Sequence, residues 1–232
     1  MTAGGEALLD NAVYEALCGP HARFAQTRGR VRRYAPDVAP FLGLPPAPAA
    51  ADWQDAAALL APDGYAAVLS SSALPSGWHV ARTFELVQMV GERVAGAPCP
   101  EAVALSAADV PEMLELVALT EPGPFLARTV ERGDYIGIRR GGTLVLMAGE
   151  RLRVPGWTEI SAVCTRPELR GQGLASRLIA AVASGIQSRS EGIFLHVLAE
   201  NATAIRLYEQ LGFRTRLRGT LSVVRPSVSR ES

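Results

Sequence analysis

The sequence predicts a mixed α/β fold, an α+β arrangement on a mixed sheet, with a smaller α/β domain at the N-terminus. Three observations predict it. Strand-like and helix-like runs alternate through the second half of the chain. A glycine-rich turn, Arg170, Gly171, Gln172, Gly173, Leu174, Ala175 and Ser176, separates a strand-like run, Thr158–Thr165, from a run of helical period. Asn201 opens the last helical run and Gly212 closes it, the residue types that suit a helix N-cap and a C-terminal turn.

Taken in order, Glu6–Leu17 reads as a helix, and the prolines of Pro45, Pro46 and Pro48 mark a loop. Asp52–Leu60 reads as a short helix. Tyr65–Leu69, Trp78–Thr83 and Glu85–Val90 read as strands. Ala95–Pro100 is linker-like. The expected division is therefore an N-terminal α/β domain over 1–97, a second domain over 98–228 and a tail over 229–232.

The second domain begins with a short strand, Ala102–Leu105. Ala107–Leu119 is helical, with Val110, Met113, Leu114 and Val117 on one face. Tyr135–Ile138 and Thr143–Met147 form a hairpin across Arg140, Gly141 and Gly142. After Thr158–Thr165, the run Gly171–Ser190 carries Leu174, Leu178, Ile179, Val182 and Ile186 at helical spacing. Ile193–Leu198 is a strand, the helix after Asn201 follows, and Leu221–Val224 is a last strand.

Composition narrows the function classes. Among 232 residues the 23 basic ones are all arginine and balance 23 acidic ones, so no global field attracts nucleic acid. Arginine clusters at 28–33 and 214–218 lack the interleaved aromatics of a strand-binding groove and read as solvated surface. No apolar run approaches membrane-span length, and no secretory signal opens the chain. Cys18, Cys99 and Cys164 have no paired spacing, which fits reduced thiols in a cytoplasmic protein and no zinc.

The turn at 170–176 suits phosphate. Glycines let its N–H groups converge, and the helix start adds unpaired donors with a partial positive charge. A dinucleotide fold needs an acidic residue at the end of the next strand, whereas Glu191 precedes that strand. No Gly-Lys-Ser/Thr follows a glycine loop anywhere.

The pattern Arg170, Gly173, Ala175 resembles the acetyl-CoA pyrophosphate loop of the GNAT N-acetyltransferase superfamily. A second motif of that family is matched by Leu195, Val197, Asn201, Ala204, Leu207, Tyr208, Gly212 and Phe213. The resemblance covers about 100–226, and Thr158–Phe213 looks like the branch that includes the C-terminal half of glycine N-acyltransferases. It implies the GNAT acyl-CoA N-acyltransferase fold, in the order β-α-α-β-β-β-α-β-α-β, with the N-terminal part a degenerate copy or an unrelated cap. It implies an acetyl-CoA-dependent N-acetyltransferase with an amine acceptor; a homodimer is compatible with it. A non-catalytic acetyl-CoA-binding regulatory module is the alternative.

By the same resemblance, main-chain groups of Val163, Cys164 and Thr165 meet the acetyl and pantetheine parts. Arg170, Gly171, Gln172, Gly173, Leu174, Ala175 and Ser176 surround the pyrophosphate, and Asn201 is a cofactor contact as well as a cap. The chemistry needs more. An amine of pKa ~10.4 is neutral in about one molecule in ~2,500 at pH 7, a barrier of roughly 4.6 kcal/mol that a positioned base can lower. Glu159, in the strand before the loop, matches the family's catalytic glutamate; Glu150 is second. Tyr208 matches the acid that meets the leaving thiolate, or is a core tyrosine. Cys164 reads as a buried inert thiol, and His196 as a packed histidine. Trp157 and the loop Pro122–Phe125 line the acceptor side or merely pack.

Overall fold

In the computed structural model, which describes residues 3–60, 64–69 and 74–227, most strands join one eight-stranded sheet. The N-terminal run forms α1 (Ala3–Glu6) and α2 (Ala12–Cys18), joined by a 3-10 turn, Ala7–Asn11. Three short strands follow, β1 (Ala25–Arg28), β2 (Val31–Tyr34) and β3 (Leu42–Gly43), in a small antiparallel sheet. Next come α3 (Ala50–Leu59), β4 (Ala66–Leu69) and β5 (Trp78–Val90). The remainder is β6 (Ala102–Leu105), α4 (Val110–Thr120), β7 (Tyr135–Arg140), β8 (Thr143–Val154) and β9 (Trp157–Thr165). It ends with α5 (Leu174–Ser188), β10 (Gly192–Leu198), α6 (Ala202–Gln210) and β11 (Arg214–Pro226).

The large sheet has the order β4-β11-β5-β10-β9-β8-β7-β6. β9 and β10 are its parallel pair, joined by α5; every other neighbouring pair is antiparallel. Two strands expected at 78–83 and 85–90 are one strand, because Phe84 between them is no breaker. That strand lies between β10 and β11, so the boundary expected at residue 97 falls between two strands of one sheet. The tail at 229–232 lies outside the described residues.

Successive strand residues face opposite sides of a sheet, which sorts the helices. Ile193 and Leu195 pack under α5 with Leu178, Ile179 and Ile186. Phe194 packs on the opposite face with Leu9, Val13 and Leu17 of the N-terminal helices. Met113 and Leu116 of α4 share a cluster with Met147, on the face away from α5. The second helix that the expected order places before β7 is instead a 3-10 turn, Thr129–Arg132. Pro122, Gly123 and Pro124 deny the preceding segment helical backbone.

The arginine cluster at 28–33 is not simply solvated. Gly29, at φ +50°, turns β1 into β2. Arg28 and Arg30 then donate to Asp55 and Asp52 of α3, at 3.0 Å each. Arg214 and Arg216 likewise fasten β11 to Glu6 and Asp10.

Candidate active site

A bulge in β9 opens the site. Between Ser161 and Cys164 the strand carries one residue more than β8 opposite, and Ala162 sits at φ +52°. Such a bulge bends the strand and deepens its twist. Consequently β9 pairs with β10 only through Trp157, Thr158 and Glu159, against Gly192, Ile193 and Phe194. Beyond that point the two strands part, and the edge of β9 that carries Val163, Cys164 and Thr165 has no strand beside it on that flank.

The glycine turn lies past the end of that edge. Gly171 and Gly173 have φ +77° and +72°, and a Cβ on either would meet nothing within 4 Å. Gly173 is the residue before α5. Among the described residues, the backbone N–H groups from Gly171 to Ser176 find no acceptor within the protein; the next one, on Arg177, bonds to the Gly173 carbonyl at 3.3 Å. Unpaired donors in a row at the start of a long helix make an anion cradle. Arg170 braces the turn through a long 3.4 Å contact from Nε to the Thr165 carbonyl. Asn201 caps α6 by accepting from the Ala204 N–H at 3.0 Å.

Glu159 is fully buried on the face away from α5. Arg151 Nε and Nη2 donate to its two oxygens at 2.8 and 2.6 Å, and His196 Nδ1 lies 2.6 Å from Oε1. Burial alone raises its proton affinity, but the Arg151 charge and hydrogen bonds, then His196, hold the carboxyl well below the usual range. Glu159 is therefore a fixed anion. Glu150 is also buried, and Arg189 at the far end of α5 donates to it at 2.7 Å. It does not face the gap between β9 and β10.

Tyr208 packs from α6 onto the α5 face, edge-on to Phe213 with ring centroids 5.6 Å apart. Burial pushes its hydroxyl up to about 12, so it stays protonated at neutral pH. Burial likewise pushes the Cys164 thiol up to about 11, against the lowering effect of Thr120. That fits an inert thiol and not a nucleophile. Trp157 and Phe125 are core residues: Trp157 covers Gly192, and Phe125 stands edge-on to Tyr135 at 5.6 Å. Glu191 accepts from Thr158 Oγ1 at 2.6 Å and from Arg189 at 3.1 Å, so it is held inside the fold.

Two buried arginines lie outside the sequence reading. Arg151 gave no signal, because nothing in its spacing marks it as the partner of Glu159. Arg132 is buried over the Tyr34 ring, and its Nε and Nη1 have no partner among the described residues. A surface depression of about 420 Å³ between Tyr65, His79, Ala81, Val223 and Arg225 includes no residue of the turn, β9 or β10.

Among the described residues no helix is long and apolar enough to cross a membrane. The family described as FR47-like protein matches residues 135–222. A GNAT-family protein of Novosphingobium aromaticivorans, provisionally described as an acetyltransferase, is 40% identical, with a TM-score of 0.85 over 95% of this chain and 99% of its own. A GCN5-related N-acetyltransferase of Kribbella flavida shares the fold at 16% identity and TM-score 0.61, over 95% of this chain and 97% of its own. So does a Drosophila protein at 16% identity and TM-score 0.60, over 95% and 89%. No curated protein matches the chain.

Proposed function

The chain belongs to the GNAT family, and from that membership we propose that it moves an acetyl group from acetyl-CoA to a primary amine, which attacks directly while both are bound. The observation that carries this is the run of unpaired N–H groups from Gly171 to Ser176, set past the end of the free β9 edge. The cradle suits a pyrophosphate, and the edge suits the amides of a pantetheine arm, which can add to it as a strand would.

Acetyl-CoA supplies the acetyl group as a thioester. Val163, Cys164 and Thr165 offer main-chain groups to the acyl end, and Asn201 adds a contact from α6. Tyr208, protonated and on the α5 face, gives or orients the proton that the departing sulfur takes. A thiolate of pKa ~8.5 needs only modest help at pH 7, so loss of the hydroxyl slows the reaction without abolishing it. Glu159 supports removal of the amine proton as a permanent negative charge beside the gap. Its ion pair with Arg151 keeps that charge in place at neutral pH.

Following free thiol while amines are screened with acetyl-CoA tests the reading, with a thermal melt in parallel. Stabilisation by acetyl-CoA with thiol release supports it. Stabilisation without release from any amine supports the binding-module alternative. Stabilisation by a nicotinamide dinucleotide and not by acetyl-CoA overturns both.

A further inference from the structure

Resting on that acetyl-transfer reading for its chemistry, we infer that His196 Nε2 takes the proton of a primary amine that docks in a small cavity between the N-terminal 3-10 turn and strands β5, β10 and β11, with Glu159 as the residue that positions His196.

His196 lies two residues past Phe194, the last β10 residue paired with β9, so it flanks the gap. Its side chain is 5% exposed and shares the face of Glu159. The hydrogen bonds fix one tautomer from both ends. A carboxylate only accepts, so Nδ1 carries the proton that goes to Glu159 at 2.6 Å. On the other side Gln88 Oε1 accepts from Arg216 Nη1 at 2.7 Å, which leaves its amide nitrogen as donor. That nitrogen bonds the Leu9 carbonyl at 2.9 Å and meets His196 Nε2 at 3.1 Å. Nε2 therefore presents a lone pair, and the carboxylate behind the ring holds it in that tautomer. Glu159 itself is held ionised by Arg151 and is a poor proton acceptor; through His196 its charge becomes useful.

Beside His196 and Gln88 lies a cavity of about 80 Å³. His196 and Gln88 line it together with Leu9, Leu86 and Leu217, and with the charged Asp10 and Arg218. Its size suits an aminomethyl group on a short apolar arm. The charged groups around His196 are Glu159 from β9 with Arg151 of β8 behind it, Arg216 and Arg218 from β11, and Asp10 from the turn. Asp10 is held by Arg216 at 2.5 Å.

The step balances. The amine nitrogen's lone pair forms the bond to the thioester carbonyl carbon, its proton passes to His196 Nε2, and the carbon–sulfur bond breaks with its electron pair on sulfur. Sulfur is protonated by Tyr208, and solvent returns His196 and Tyr208 to their starting states. The amine first displaces the Gln88 N–H from Nε2, and Gln88 keeps its bond to Leu9.

The test begins with the wild-type protein, ¹³C-labelled at histidine and titrated with n-butylamine or 2-phenylethylamine without acetyl-CoA. A saturable shift of the His196 ring signal is expected, and it should vanish in Leu217→Glu, a position 43% exposed and so tolerant of charge. No shift with either amine overturns the cavity as the amine site. Turnover then tests the base. His196→Asn should lower kcat about 10²-fold at pH 7, with a smaller deficit at high pH and unchanged stabilisation by acetyl-CoA. A normal kcat in that variant overturns the base. Should it not fold, Leu217→Glu must lose amine turnover while acetyl-CoA still stabilises it; an unchanged KM for the amine overturns the site. Amine binding at His196 in a protein that releases no thiol overturns the transfer reading and the base role, and leaves the cavity standing.

Discussion

Arg151 grips both carboxylate oxygens of Glu159, at 2.8 and 2.6 Å, in a place where Glu159 has no exposure to solvent. A charge buried this way is tolerated because its partner is bidentate and because His196 occupies the remaining direction. The pair makes the region around the gap sensitive to the loss of either member.

Arg151→Met should therefore destabilise the protein by about 3–5 kcal/mol, since it leaves an uncompensated buried carboxylate. Adding Glu159→Leu should recover most of that loss, because the stranded charge goes with it. Urea unfolding of the two variants measures both; a loss under ~1 kcal/mol in the single variant would show the pair to be hydrated.

Gly173→Val should remove stabilisation by acetyl-CoA. Its φ of +72° strains any β-branched residue, and the Cβ projects into the open space above the helix start. At ~100 times its dissociation constant a native-state ligand adds about 2.7 kcal/mol. The variant should melt at nearly the same temperature with and without acetyl-CoA, while wild type does not.

For Tyr208→Phe the expected loss is in rate alone. No hydrogen bond from its hydroxyl is formed among the described residues, and the ring keeps its packing on Phe213. Turnover should fall roughly 10- to 150-fold, the worth of about 1.5–3 kcal/mol to a developing charge. A normal rate, or a lower melting temperature with normal rate in the folded fraction, would assign the hydroxyl to structure.

His21 predicts a pH dependence of stability. It is buried, with Nε2 donating to the Arg132 carbonyl at 3.1 Å and Nδ1 accepting from the Tyr34 hydroxyl at 2.7 Å. Burial first, then the Arg132 charge, lowers its pKa from 6.5 to about 4. The unfolded chain thus binds a proton that the folded one refuses. The contribution is fully present above pH ~6.5, shrinks as pH falls through the window and is gone below about 4, a swing of about 3 kcal/mol. Chemical unfolding between pH 4 and 7 should show a shallower slope in His21→Gln than in wild type.

Much of this fold was legible because local signals carried it. Asn201 is an N-cap by chemistry and by structure, and the turn at 170–176 combines glycines with a helical period. The β1–β2 hairpin escaped because β2 shows no alternation: its buried residues, Val31 and Tyr34, stand three apart around Arg32 and Arg33; Arg28 and Arg30 are neutralised by aspartates of α3, a relation across sequence that no window contains. The bulge at Ala162 escaped for a different reason. An alanine at positive φ leaves no mark in composition, and its cause is the pairing of β8 with β9. The site followed the same division. Its backbone cradle could be read, whereas the link from Arg151 through Glu159 and His196 to Gln88 joins four strands and arises only when they meet.

The position of β5 between β10 and β11 also sets an order of events during synthesis. β5 is made early, yet both of its neighbours are among the last strands to be made. Until they arrive its two edges are bare backbone, and closing so long a loop is slow. The gap between β9 and β10 therefore exists only after the sheet's final strands have threaded home, so a nascent or C-terminally cut chain should be inactive and prone to stick to itself.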